Sequence, residues 1–248
     1  MKGRVEEYLL NKIRQDGAIH LTLLDTEKAQ PKDAAKTARE AEEDGTAAIM
    51  VGGSTVTSTQ MLEETVKAIK KSVSIPVILF PNNITGICPK ADAIWFMSLI
   101  NSSDPYFIIG AHVLGAPLVR RFGLEPIPLG YIIVGEGGAA SLIGRAFPIP
   151  FDRPELAVAH ALAAEYLGMR FVYLEAGSGV KESVPRDMIR MVKDVIDVPL
   201  IVGGGIRSRT QVRKIVDAGA DMVVTGNITE QGTTRIRLKG LIGSVRRK

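Results

Sequence analysis

The sequence predicts a single-domain (β/α)8 barrel, a TIM barrel, over residues 1–248. Three observations lead there. Short apolar runs recur at intervals of about 25–35 residues and alternate with helix-like stretches. The eighth such unit ends the chain. The last three apolar runs each open into a glycine turn, at Gly177-Ser178-Gly179, Gly203-Gly204-Gly205 and Gly226-Asn227, and barrels commonly hold phosphate at the loops after strands seven and eight. An open doubly wound sheet is the competing fold.

The elements follow in order. The first strand runs from Ala18 to Leu24 and ends in Asp25. A helix from Pro31 to Asp44 has proline in its first turn and stops at Gly45. The second strand, Thr46 to Val51, ends in Gly52-Gly53-Ser54 and leads to a helix from Ser58 to Lys71. The third, Pro76 to Phe80, ends in Asn82-Asn83 before an irregular element from Ile84 to Lys90. The fourth, Ala93 to Met97, precedes a helix from Asp104 to Phe122 that is apolar nearly all round. An outer barrel helix needs only one apolar stripe, so its second apolar face must cover a subunit interface or a greasy ligand.

The fifth strand is Pro128 to Val134. Residues Gly135 to Pro154 read as a long loop rich in glycine and proline, a candidate lid. A helix from Arg153 to Leu167 leads to the sixth strand, Arg170 to Leu174. The seventh strand, Pro199 to Val202, and the eighth, Asp221 to Thr225, follow helices near Pro185–Ile196 and Ser208–Ala218. A last helix covers about Gly232 to Val245.

Composition narrows the function. Hydrophobic residues make up 46% of the chain and charged residues 23%, the balance of an ordinary folded protein. One cysteine, Cys88, excludes an intramolecular disulfide framework and an all-cysteine zinc site. A cytoplasmic setting is the simple reading. The net charge of +4 is spread along the chain, with an excess only near the C-terminus, where cations suit a helix dipole. Nucleic-acid binding is therefore not expected. The N-terminus has no apolar signal core, and no window is long and unbroken enough to span a membrane.

A barrel builds its active site at the C-terminal ends of its strands. The residues there are Asp25, Ser54, Glu175, Ser178, Gly204, Gly205, Gly226 and Asn227, among others. Unshielded backbone N–H groups in the glycine turns suit a phosphate. Asp25 and the Ser54 hydroxyl are hard oxygen ligands on the opposite side, suited to a Mg²⁺ ion that takes its other ligands from water and substrate. Asp25 also fits a helix cap, and Gly52-Gly53-Ser54 also fits a plain tight turn. Glu175 has little structural purpose at the end of an apolar strand; between phosphate and metal it is placed to act as general base. Tyr173 shares its face and fits either a substrate contact or barrel packing. His20 reads as a satisfied core histidine, and no histidine pair has zinc-ligand spacing. No lysine sits at a strand end in the mouth, against Schiff-base chemistry.

The stretches His20-Leu-Thr-Leu-Leu-Asp25, Gly52-Gly53-Ser54, Tyr173-Leu-Glu175-Ala-Gly177-Ser178-Gly179, Val202-Gly203-Gly204-Gly205-Ile206 and Thr225-Gly226-Asn227 together resemble the geranylgeranylglyceryl phosphate synthase family, related to the heptaprenylglyceryl phosphate synthases. The resemblance covers essentially the whole chain. It implies that Asp25 and Ser54 bind Mg²⁺. It implies that Tyr173, Glu175, Gly177, Ser178, Gly179, Gly204, Gly205, Gly226 and Asn227 hold sn-glycerol 1-phosphate. Geranylgeranyl diphosphate would be the second substrate, with its tail in an apolar groove. The implied reaction joins the geranylgeranyl group to the terminal hydroxyl of sn-glycerol 1-phosphate and releases diphosphate. The resemblance also implies a homo-oligomer, dimeric or larger; a lipid-precursor product leaves transient membrane contact open, though no amphipathic basic helix stands out for it. Several relatives have Asp-Pro where this chain has Asp25-Thr26; the carboxylate is kept. Another phosphate-binding barrel enzyme, an isomerase or lyase, explains the glycine turns but not the Asp25 and Ser54 side. A non-catalytic phosphometabolite-binding barrel leaves Glu175 without a role.

Overall fold

The computed structural model describes residues 3–26, 28–53, 58–226 and 235–245. Its strands are β1 Ile19–Leu24, β2 Ala48–Gly52, β3 Val77–Phe80, β4 Ala93–Leu99, β5 Glu125–Ile133, β6 Phe171–Glu175, β7 Leu200–Gly203 and β8 Met222–Thr225. They close, in sequence order and all parallel, into one barrel. The helices are α1 Arg4–Asp16, α2 Pro31–Glu43, α3 Thr59–Lys70, α4 Ala111–Phe122, α5 Gly138–Ile143, α6 Pro154–Tyr166, α7 Arg186–Lys193, α8 Arg209–Asp217 and α9 Arg235–Ile242. The eight expected strands are all present, with their ends moved by a few residues.

Alternation sorts the side chains into two cores. Outward residues such as Ile49, Leu79, Val172 and Val202 pack under the helices. Inward residues such as Leu21, Met50, Ile78, Trp95, Leu129, Phe171, Ile201 and Met222 fill the barrel. Trp95 sits edge-on to Phe171 at 5.3 Å between ring centroids. Burying each such side chain stabilises the fold by roughly 1.5–3 kcal/mol. His20 points outward and is buried; its ring nitrogens lie 2.9 Å from the Thr46 and Thr225 hydroxyls. Burial lowers its pKa to about 3, so it stays neutral, as the satisfied core histidine the sequence suggests.

Two departures position the site. The sequence reading has no helix before β1, yet α1 covers the N-terminal end of the barrel. Val5 and Leu9 join the inner core. Val5, Leu9 and Ile13 repeat at the four-residue helical spacing, which is the signal for it. The Glu125 carboxylate accepts from the first helical N–H groups, those of Val5 and Glu6, both at 2.8 Å.

The second departure is residues 135–154. The expected open loop contains α5, and hydrogen bonds fasten it. The Asn101 amide donates to the Ile133 and Phe147 carbonyls at 2.8 Å, and the Gly135 N–H donates to Ile149. This segment forms a hydrogen-bonded wall of the mouth, with Ala140, Ile143 and Gly144 lining the space inside it. The apolar helix after β4 begins as a π-helical turn, Tyr106–Gly110, in which the Ala111 N–H reaches the Tyr106 carbonyl. Among the described residues, no helix is long and apolar enough to cross a membrane.

Candidate active site

β5, β6 and β7 lie in register with Tyr131 beside Tyr173, and Glu175 beside Gly203. Tyr131, Tyr173 and Glu175 therefore point into the barrel near its C-terminal mouth, all buried. Phe80 from β3 completes an aromatic cluster. It stacks on Tyr173 at 5.9 Å and meets Tyr131 edge-on at 5.6 Å, while the two tyrosine rings are 5.2 Å apart.

Glu175 is the buried acid of this floor. One of its oxygens accepts the Gly177 N–H at 2.7 Å. Burial raises its pKa; the nearby Tyr173 hydroxyl and the Gly177 N–H oppose part of that rise. Burial, and then the Glu175 charge, push both tyrosines well above their ordinary pKa, so they remain neutral donors. The Tyr173 hydroxyl is close enough to Glu175 to interact with it electrostatically, but its geometry completes no hydrogen bond. An unpaired buried hydroxyl costs about 1–3 kcal/mol, which a substrate oxygen would offset.

The glycine turns converge around this acid. Gly177 and Gly179 have φ of 114° and 82°, and Gly204 has φ of 84°, values that suit glycine alone. A Cβ on Gly204 would lie 2.5 Å from a Glu175 oxygen and 2.6 Å from the Gly177 nitrogen. A Cβ on Gly203 would come within 2.1 Å of the Tyr173 hydroxyl. These glycines let the β6 and β7 turns touch backbone to backbone. Gly177 in turn meets the backbone of Gly137 and Gly138, so the wall before β6 closes a third side.

Asp25 follows β1 across the mouth. It does not cap α2, whose cap position is Gln30. A Cβ at Gly53 would lie 2.5 Å from an Asp25 oxygen; glycine there makes room for the carboxylate. Gly52, by contrast, is a packing residue, since a Cβ would strike the Phe80 carbonyl at 1.9 Å. Lys28 reaches Asp25 at 3.4 Å. Among the described residues no group of three or more His, Cys, Asp or Glu forms a metal cluster. The donor set still fits a hard cation that draws most ligands from diphosphate and water, because one mouth-facing carboxylate suffices for that mode. Ser54 and Asn227 lie outside the described residues.

One cavity of about 540 Å³ unites these parts. Its lining includes Asp25, Tyr173, Glu175, Gly177, Ser178, Gly179, Gly204, Gly205 and Gly226, so every described site residue foreseen in the sequence borders the same space. From the mouth it continues between β3, β4 and α4, past Ile87, Phe96, Phe107 and His112. One apolar face of α4 thus covers a groove, while Ile109, Val113 and Leu114 on the helix remain exposed. Sequence reasoning missed Phe80, Tyr131, Lys28 and Arg207, which also line the cavity. Parity along β5 and the three-residue step from Asp25 to Lys28 were the available signals.

Comparison with known proteins gives the family of the chain. A model described as the PcrB family matches residues 11–240. A geranylgeranylglyceryl phosphate synthase of Thermofilum pendens is 57% identical over 93% of this chain and 90% of its own length. One from Pyrococcus abyssi is 52% identical, over 99% of this chain and 97% of that protein. The crystal structure of (S)-3-O-geranylgeranylglyceryl phosphate synthase from Thermoplasma acidophilum, in complex with its substrate sn-glycerol-1-phosphate, superposes with a TM-score of 0.94. It is 40% identical and covers 99% of each chain. The chain belongs to the PcrB family, together with these geranylgeranylglyceryl phosphate synthases.

Proposed function

We infer that the chain is a prenyltransferase that joins the geranylgeranyl group of geranylgeranyl diphosphate to the terminal hydroxyl of sn-glycerol 1-phosphate. The carrying observation is that Glu175 is buried at the junction of two unlike compartments of one cavity. On one side are glycine turns that suit a phosphate. On the other are Asp25 and the apolar groove lined by Ile87, Phe96 and Phe107, which suits a hydrocarbon tail.

The residues divide the reaction between them. The turns at Gly177–Gly179, Gly204–Gly205 and Gly226, with Asn227, seat the glycerol phosphate and so hold its hydroxyl near the allylic carbon. The bond from that carbon to the diphosphate breaks, and diphosphate leaves with the bonding pair. The hydroxyl oxygen forms the new ether bond, and its proton passes to Glu175. Burial favours this transfer, because the raised pKa makes the carboxylate a stronger base. Tyr173 keeps its proton and donates to a substrate oxygen. Phe80, Trp95 and Tyr131 keep water from the developing cation. Asp25 and Ser54 would hold Mg²⁺, which when bound supplies positive charge for the departing diphosphate. Association with further copies of the chain belongs to the same reading, supported by exposed Ile109, Val113 and Leu114.

The test mixes purified protein with radiolabelled sn-glycerol 1-phosphate, geranylgeranyl diphosphate and Mg²⁺, beside an EDTA control and Glu175→Gln. Butanol-extractable label is expected, lost with EDTA and reduced about 10²–10⁴-fold in the variant. If no label enters the organic phase with any prenyl diphosphate, the reading fails. Label that forms equally well in EDTA sinks the metal assignment alone.

A further inference from the structure

Arg207 follows the β7 glycines but is tied to the β6 turn. Its Nη2 donates to the carbonyls of Gly179 and Val180, both at 3.0 Å. Its own end is fixed as well. The Arg207 and Ser208 N–H groups both donate to the Gln211 side chain, at 2.8 and 3.0 Å, and Ser208 and Gln211 form the capping box of α8. The guanidinium thus runs from the capped start of α8 to the glycine turn after β6. That turn needs such a strut. Gly177 and Gly179, both at positive φ, leave the backbone free to adopt many shapes, and the Ser178 between them is exposed.

We propose that Arg207 is a positioning residue for the anion seat: it locks the Gly177–Val180 turn in the shape that receives the phosphate of the glycerol substrate. A trans peptide points its C=O and N–H opposite ways. Holding the Gly179 and Val180 carbonyls therefore fixes the two peptide planes that close the turn, and with them the place of Gly177, Ser178 and Gly179 beside the cavity. The charge on Arg207 borders the same cavity and adds attraction for an anion. Arginine suits this role because it stays charged and presents a planar set of donors. The seat is then shaped before substrate arrives, and substrate binding need not supply the ordering.

The kinetic arm of the test rests on the prenyltransferase reading; the exchange arm does not. In Arg207→Met, amide hydrogen exchange over residues 176–181 of the ligand-free protein should quicken. KM for sn-glycerol 1-phosphate should rise about 10- to 100-fold, the factor expected from losing charge-assisted contacts. KM for geranylgeranyl diphosphate should stay within about twofold, well inside one decade of affinity. Arg207→Lys, which can reach one carbonyl at a time, should fall between. Unchanged exchange with a raised KM would make Arg207 a direct phosphate ligand and overturn the clamp. Equal changes in both KM values would reduce it to general stability and also overturn it. If Arg207→Met does not fold, Arg207→Lys carries both measurements, and wild-type behaviour in it counts against the proposal. If no substrate pair turns over, the exchange comparison alone decides.

Discussion

At the scale of single residues, the site is defined by what Glu175 lacks. Carboxylates at the other end of the barrel are fully engaged. Asp92 holds Lys70 and the Val77 N–H, and Asp221 holds Lys193 and the Leu200 N–H. Glu175 is as buried as Asp221 and more buried than Asp92, yet among the described residues it holds no cation and accepts the Gly177 N–H at 2.7 Å. A folded-state pKa raised by burial means that the native state binds the proton more tightly than the unfolded chain does. The stability penalty is therefore absent below the ordinary carboxylate pKa. It grows as pH rises toward the raised value and is complete above it. Glu175→Gln should consequently melt at a higher temperature than wild type at pH 7–8, while the two should converge near pH 4; thermal melts across pH check this. Wild-type kcat/KM should fall on the acid side through the same raised pKa. Gly203 offers a second residue-scale test. Gly203→Ala drives a methyl against the Tyr173 hydroxyl and should cost about 1–3 kcal/mol. Adding Tyr173→Phe removes the obstruction and should restore part of that loss in urea unfolding. A double variant no more stable than Gly203→Ala would place the strain elsewhere.

At the scale of elements, α4 is the one whose sequence poses a question and whose packing answers it. Its residues divide between a groove, through Ala111, His112 and Gly115, and an exposed apolar face at Val113 and Leu114. A Cβ on Gly115 would stand 3.0 Å from the tip of Ile87, so this glycine keeps the groove open where α4 crosses the chain after β3. Gly115→Leu should shorten the usable groove. The expected result is a loss of kcat/KM for the C20 diphosphate roughly 10-fold greater than for the C10 diphosphate, the scale of discrimination that pocket volume gives. Equal losses for both would move the tail off this face. The helix is also a lesson in legibility. An all-round apolar pattern says that two faces need cover, but not which of two covers each receives. That depends on where β3 and the segment after it place Ile87.

At the scale of the whole molecule, the barrel separates stability from function end for end. The N-terminal end is closed by α1 and pinned by the Glu6–Arg170 pair, with contacts at 2.8 and 2.9 Å; the Glu6 side chain is only 1% exposed. Arg170 retains some access to water, so breaking the pair should cost about 2 kcal/mol rather than the larger figure for a fully buried pair. Glu6→Ala should lower the unfolding free energy by that amount, read as a lower urea midpoint at an unchanged m-value, and leave KM for both substrates as in wild type. A changed KM would mean that the two ends are coupled.

The barrel and most of the residues at its mouth can be read along the chain alone. Both are local properties. Strand alternation, helix caps and glycine turns are written within a few neighbouring residues, and barrel closure brings the strand ends together whatever their side chains. Asp25, Tyr173, Glu175 and the glycines were legible because each sits at a strand end. The rest depends on contacts between distant parts of the chain. Tyr131 and Phe80 join Tyr173 only through the register of β3, β5 and β6. Arg207 meets Gly179 across about thirty residues of chain. The segment 135–154 becomes a wall because Asn101 reaches it. Pairings of this kind are set by which surfaces the closed barrel brings into contact, and no periodicity along the chain records them.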